Sequence, residues 1–183
     1  MPAPATRAPA AARLVPFTPR LMDLPDRTMA VVHTKGDPSV VGQGVFPALY
    51  GAVYGLKFAL KKQGIVFTVE APAARWFGGA EYQEIPRQEW MAEWAIPVPS
   101  ETDCLIQKDP AYPVAVETWM YGAVAEVLHL GTYAEEEPTI RLLHEYIAAQ
   151  GLEIAGPHEE VYLSRPGATK QKTIIRYQVR PRL

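Results

Sequence analysis

The order of strand and helix signals constrains this chain more than any single motif, because strand, helix, strand, strand occurs twice, about 85 residues apart. Residues 28–34 (TMAVVHT) form a β-branched run that stops at the turn sequence Lys35-Gly36-Asp37-Pro38. Pro47 suits a first helical turn, and residues 48–63 carry helical periodicity, with Leu49, Val53, Leu56 and Leu60 in one aliphatic stripe. Gly64 ends that helix, and residues 65–70 (IVFTVE) and 90–96 supply two further strands. After a proline-rich stretch the order repeats. Residues 114–130 are strand formers broken at Gly122, and residues 133–150 form a helix with three acids in its first turn, where the macrodipole favours negative charge. Strands over 160–164 and 173–179 complete the second unit. The predicted fold class is α+β: two tandem βαββ modules joined as one curved antiparallel sheet, with helices packed on it and a central ligand cleft at the pseudo-twofold seam. The expected organisation is a disordered Pro/Ala-rich tail over 1–20 and a single domain over 21–183. Within it the first module spans about 28–97, a linker about 98–113 and the second module about 114–180.

Composition excludes several functions. The 18 basic and 20 acidic side chains give a net charge of −2 and no concentrated basic face, so nucleic acid is not an expected partner. No apolar run approaches the ~20 residues that span a bilayer, so no membrane association is expected. Cys104 is the only cysteine, which excludes an internal disulfide and a thiolate cluster and fits a reducing cytoplasm. It also has no evident base, which argues against a nucleophile. The four histidines show no ligand spacing for zinc, and no metal is expected. Gly42-x-Gly44 lacks the third glycine of a dinucleotide fingerprint, and no Walker loop, Gly-x-Ser-x-Gly or His-Glu-x-x-His occurs. No cofactor is expected.

Three stretches resemble the GyrI-like family of small-molecule-binding domains. The first is Lys35-Gly36-Asp37-Pro38 followed by ALYGAVYGLKF over 48–58. The second is HLGTYAEE over 129–136, and the third is HEEVYLSRP over 158–166 followed by KTIIR over 172–176. Together they span roughly residues 21–179. The resemblance implies two βαββ modules used as a drug- or effector-sensing domain, here in a stand-alone form without a helix-turn-helix segment. It also implies a ligand-facing carboxylate at Glu160 and partners that are hydrophobic, planar or cationic aromatic small molecules. A subfamily hydrolyses cyclopropane-bearing DNA-alkylating compounds inside an aromatic cage, so the resemblance leaves hydrolysis open, with Glu160 and Tyr133 as the catalytic candidates. Two departures from the family pattern affect the rim of the site: Glu159 stands where a second histidine is common, and the loop between Pro166 and Lys172 is short.

The candidate ligand-binding residues each carry a plainer alternative. Glu160 and Tyr162 share one face of their strand by the period of two. A carboxylate flanked by Val161 and Leu163 is costly to bury unpaired, and a cationic ligand would relieve that cost. Otherwise Glu160 faces solvent or pairs with Arg176. Phe46, Tyr50, Tyr54 and Phe58 recur every four residues, in a row that drifts about 40° per step from the aliphatic stripe. They either border a cleft or belong to the core. Trp76 and Trp94 are candidates for an aromatic wall or are core plugs, as are Trp90 and Trp119. Tyr133 stands where its hydroxyl could turn toward Glu160, and His129 either shares that network or is a structural group. A third possibility is an interaction module whose cleft another protein fills.

Overall fold

A computed structural model describes residues 13–78, 84–165 and 167–183. The expected disorder of residues 1–12 lies outside the described residues, as do Gly79 and the Pro166 end of the third motif. The described residues form nine strands and two α-helices of the α+β class, and all the strand pairs named below are antiparallel. They divide into two compact units, one continuous over 26–120 and one that combines the residues before 26 with 121–183.

In the continuous unit, β2 (Arg27–Lys35) pairs with β4 (Met91–Pro97) on one side and β5 (Ala115–Trp119) on the other, and β3 (Ala73–Phe77) pairs with β4. Helix α1 runs over Pro38–Lys62, ten residues longer at its start than the periodicity predicts. Its true beginning is the Asp37 side chain, which accepts a 2.9 Å bond from the Ser39 N–H, with Pro38 in the first turn and Pro47 inside the helix. Pro47 therefore does not mark the helix start. Gly42 and Gly44 masked the earlier turns, and Gly44 is small for a reason: a Cβ there would collide with the Tyr112 ring. Leu49 and Val53 of the aliphatic stripe are buried with Val45, Ala48 and Ala52. Residues 65–70, read as a strand from their β-branched content, are not one: Val66 is 92% exposed, and the strand lies at 73–77 instead. There Ala74 is fully buried opposite Trp94, a row where only a small side chain fits beside an indole.

The other unit is built on β6 (Gly122–Leu130) and β9 (Lys172–Pro181), which pair over seven positions. β8 (His158–Tyr162) and the short β7 (Leu152–Ile154) both pair with β9. β1 (Arg20–Leu24) pairs with β6, and the backbone before it is already engaged, since the Phe17 N–H donates to the Leu128 carbonyl at 2.9 Å. Helix α2 (Glu137–Ala149) sets Leu143 and Ile147 against Leu21, Ala125, Val127, Ile175, Tyr177 and Val179. At about 25 cal/mol per Å² of apolar surface, a fully buried Leu or Ile contributes roughly 1.5–3 kcal/mol, so this cluster fixes the helix on that face.

The opposite face of the same strands carries charge. Arg20, Glu126, Arg176 and Glu159 stand directly opposite one another on β1, β6, β9 and β8. Arg20 donates to Glu126 Oε1 at 2.6 Å, Arg176 to Glu126 Oε2 at 2.7 Å and to Glu159 Oε1 at 2.8 Å. The Tyr121 hydroxyl adds a bond to Glu159. Glu126 is only 1% exposed, so each carboxylate oxygen depends on its guanidinium. Replacing Arg176 with Leu takes the shared guanidinium from two buried carboxylates, leaving Arg20 on Glu126 and the Tyr121 hydroxyl on Glu159. The expected loss is about 3–5 kcal/mol by urea denaturation, larger than that of the paired replacement Arg176→Leu with Glu126→Leu; a loss below about 1 kcal/mol would show the ladder to be dispensable.

Candidate functional site

Strand β8 alternates, and the alternation decides which acids can meet a ligand. Glu159 points to the charged ladder, while His158, Glu160 and Tyr162 turn to the α2 side with Ile175 and Tyr177. Arg176 stands opposite Glu159 and bonds it, so the pairing of Arg176 weighed for Glu160 goes to Glu159. Glu160 is buried, with His158 Nε2 2.8 Å from Oε1 and the Tyr162 hydroxyl donating to Oε2 at 2.8 Å. The Tyr177 hydroxyl lies 2.6 Å from His158 Nδ1. Burial first, and then the charge of Glu160, holds the Tyr162 hydroxyl well above the ordinary tyrosine range.

A second acid joins this network from the turn before α2. The three consecutive glutamates there have three different environments. Glu135 accepts from the Thr132 N–H and hydroxyl, both at 2.8 Å, in a capping box. Glu137 is exposed and pairs with Arg141 one turn on. Glu136 is 4% exposed and enters the interior beside Glu160 and Thr173. Burial, and then the neighbouring charge of Glu160, push its carboxyl up to about 9. The predicted helix start at residue 133 is thus a 3-10 turn (Tyr133–Glu135), and that turn is what allows Glu136 to point inward.

The predicted residues fall into two groups, one in each unit. Tyr133 packs edge-on against Tyr162 with ring centroids 5.8 Å apart, and burial followed by the charges of Glu160 and Glu136 raises its hydroxyl. His129 is buried, but both ring nitrogens are engaged, Nδ1 with Thr139 Oγ1 at 2.8 Å and Nε2 with the Thr132 carbonyl at 3.2 Å. Its bonds therefore go to the α2 start and not to Glu160. It also borders an open groove of about 310 Å³ with Phe17, Pro138 and Leu142.

In the other unit Phe46, Tyr50, Tyr54 and Phe58 stack in series along α1, each centroid 6.2–6.4 Å from the next. Tyr54 and Phe58 are 41% and 57% exposed, so the row is not the core; that role belongs to the aliphatic stripe. Phe46 meets Trp94 edge-on at 5.3 Å, and Trp94 meets Trp76 at 5.2 Å. Both tryptophans are buried, with the Trp94 indole N–H donating to Thr34 Oγ1 at 2.9 Å.

Two clusters among the described residues bring three possible metal donors within 4.8 Å: Glu136, His158 and Glu160, and His33, Glu93 and Glu117. In each, histidine–carboxylate bonds at 2.8 Å and 2.6 Å already occupy donor atoms, so both read as hydrogen-bonded networks. Sequence reasoning missed His158, Glu136 and Glu126. The period of two could have placed His158 beside Glu160. Nothing in three adjacent acids, however, signals which one is buried.

Residues 17–180 match the GyrI-like small molecule binding domain, and the chain belongs to that family. The fold is similar to that of an uncharacterized conserved protein from Listeria innocua, with 22% identity, a TM-score of 0.78, and coverage of 90% of this chain and 93% of the other. A hydrolase from Listeria innocua gives 22% identity and a TM-score of 0.75 with the same coverage. The EcmrR C-terminal domain gives 14% identity and a TM-score of 0.61, covering 90% of this chain and 98% of that one. No curated protein matches the chain. Among the described residues no helix is long and apolar enough to cross a membrane.

The raised carboxyl of Glu136 makes stability depend on pH with a definite sign. An ordinary glutamate ionises near 4.5, whereas the folded chain keeps this proton up to about 9. The folded state therefore binds more protons across that window, and stability falls as pH rises through it. The melting temperature is expected to drop between pH 6 and pH 9, and Glu136→Gln to remove most of that slope. An unchanged slope in the variant would refute the assignment.

Proposed function

We propose that the domain binds hydrophobic, planar or cationic organic molecules, with Glu160 reading positive charge and the half-exposed Tyr133 ring beside Tyr162 supplying contact area. The observation that carries this reading is the buried carboxyl of Glu160, held on the α2 side of β8 within 2.8 Å of His158 Nε2 and of the Tyr162 hydroxyl. The family is one of small-molecule binding, and a cationic guest is the chemistry that lowers the cost of that buried charge.

A second reading is hydrolysis of a reactive electrophile such as a cyclopropane-bearing alkylator. Two solved structures of this fold from Listeria innocua carry the name hydrolase, and Tyr133 packs on Tyr162 beside Glu160. Glu160 would take a proton from water as the water oxygen attacks the ring methylene; the strained C–C bond breaks, its electron pair passes into the conjugated carbonyl, which is then protonated, and Tyr133 orients the guest. Mass spectrometry of such a compound incubated with excess protein decides between holding and turnover; product no faster than in buffer removes this reading.

Fluorescence titration with size-matched cationic and neutral dyes tests the first. Glu160→Gln is expected to weaken the cationic dye at least about tenfold and the neutral one about twofold or less, as the loss of a charge-assisted contact of roughly 1.5–3 kcal/mol requires. Equal losses would refute charge reading.

A further inference from the structure

We infer that Glu136 and Glu160 form a carboxyl pair sharing one proton, and that the site takes organic dications by giving this proton up. The inference rests on the cationic-ligand reading above and extends it to the charge number of the guest. Four observations carry it. Both carboxyls are buried, and their oxygens come within 4.8 Å of each other and of His158. Like charges that close in a dry interior are not both ionised, so one proton stays. The proton's place follows from the donors. The Tyr162 hydroxyl donates to Glu160 Oε2 and His158 Nε2 lies 2.8 Å from Oε1, contacts that favour Glu160 as the carboxylate. Glu136 has the Thr173 hydroxyl and Glu160 itself as neighbours. Its Oε1 is buried and has no hydrogen-bond partner among the described residues.

That orphaned oxygen is the reason to expect a second positive group. A monocation is matched by Glu160 alone. A dication also finds Glu136, whose ionisation restores an interaction for Oε1 as the proton leaves for solvent. The raised carboxyl range of Glu136 agrees with this order of events. The other groups facing the pair are Tyr133 from the turn before α2, His158 and Tyr162 from β8, and Tyr177 from β9, with His144 of α2 against the Tyr177 ring. Burial lowers the His144 imidazole, so it adds no positive charge at neutral pH. The tyrosines Tyr133 and Tyr162 stay neutral there too.

The consequence is a linkage between proton and ligand. Dication affinity should rise with pH below the range of the pair, by up to about tenfold per pH unit, while monocation affinity stays nearly level. Ethidium and propidium make a matched probe, because they share one planar ring system and carry one and two positive charges. Isothermal titration of the intact chain near pH 7.5, in buffers of different ionisation enthalpy, reads protons released per dye bound. Propidium is expected to release close to one proton and ethidium close to none. In Glu136→Gln the propidium release should vanish, and the affinity ratio of propidium to ethidium should fall about tenfold. Propidium binding to the wild-type chain without proton release overturns the inference and leaves the cation reading standing. If neither dye binds, the cation reading fails with the dication preference. The pair is then judged by infrared spectroscopy of the wild-type chain at neutral pH. A protonated-carboxyl band that persists to about pH 9 upholds the pair, and its absence overturns it.

Discussion

The alternating row Arg20, Glu126, Arg176, Glu159 is the constraint on which the discontinuous unit depends. It crosses four strands in register, and each member is the reason its neighbours can be buried. Hydrophobic packing fixes α2 against one face of these strands, but it does not choose the register of β1, a strand of five residues. The guanidinium of Arg20 does so by meeting Glu126 twice, at 2.9 Å and 2.6 Å. A slip of one residue would send every side chain of β1 to the wrong face and leave Glu126 short of a partner. Because Glu159 belongs to this row, the period of two obliges Glu160 to face the other way. The carboxyl network with His158 and Tyr162 is thus a consequence of the ladder as much as of its own contacts.

The order of elements was legible because β-branched runs and turn residues leave local marks. The strands at 27–35, 91–97 and 172–181 and the helix over 137–149 lie where those marks predict them. The partnering of strands was not legible. β5 and β6 follow one another in sequence around Gly122, yet β5 pairs with β2 and β6 with β1 and β9. Such choices rest on contacts between residues far apart in sequence, to which local propensity is blind. The same blindness explains residues 65–70, whose composition suits a strand that burial gave to Ala73 and Ala74 instead.

The site divides in the same way. Glu160 and Tyr162 could be put on one face by counting, and the aromatic row by its spacing of four. That the row is exposed while Leu49 and Val53 are buried required the structure, since both stripes have helical period. Glu136 was hidden for a different reason. Three adjacent acids at a helix start have an ordinary electrostatic explanation, and only the 3-10 turn before α2 separates one of them from solvent. The pattern in both cases is that period predicts direction, whereas burial depends on what arrives from elsewhere in the chain.

The pairing of β1 with β6 has a consequence for how the chain assembles. Leu24 stands opposite Gly122, and Arg20 is 106 residues from the glutamate it bonds. Topologically, residues 25–121 are a very long loop of a β-hairpin, and nearly all of that loop is itself a compact unit. A flexible connection of this length would carry a closure entropy that grows by about 0.6 kcal/mol with each doubling. Once the inserted unit has folded, the connection is no longer a flexible coil, and that entropy has already been spent on its internal contacts. During synthesis β1 emerges before β6 and must wait for it, with Arg20 and the apolar Leu21 and Met22 still unpaired. Efficient folding of one unit is therefore a kinetic precondition for completing the other.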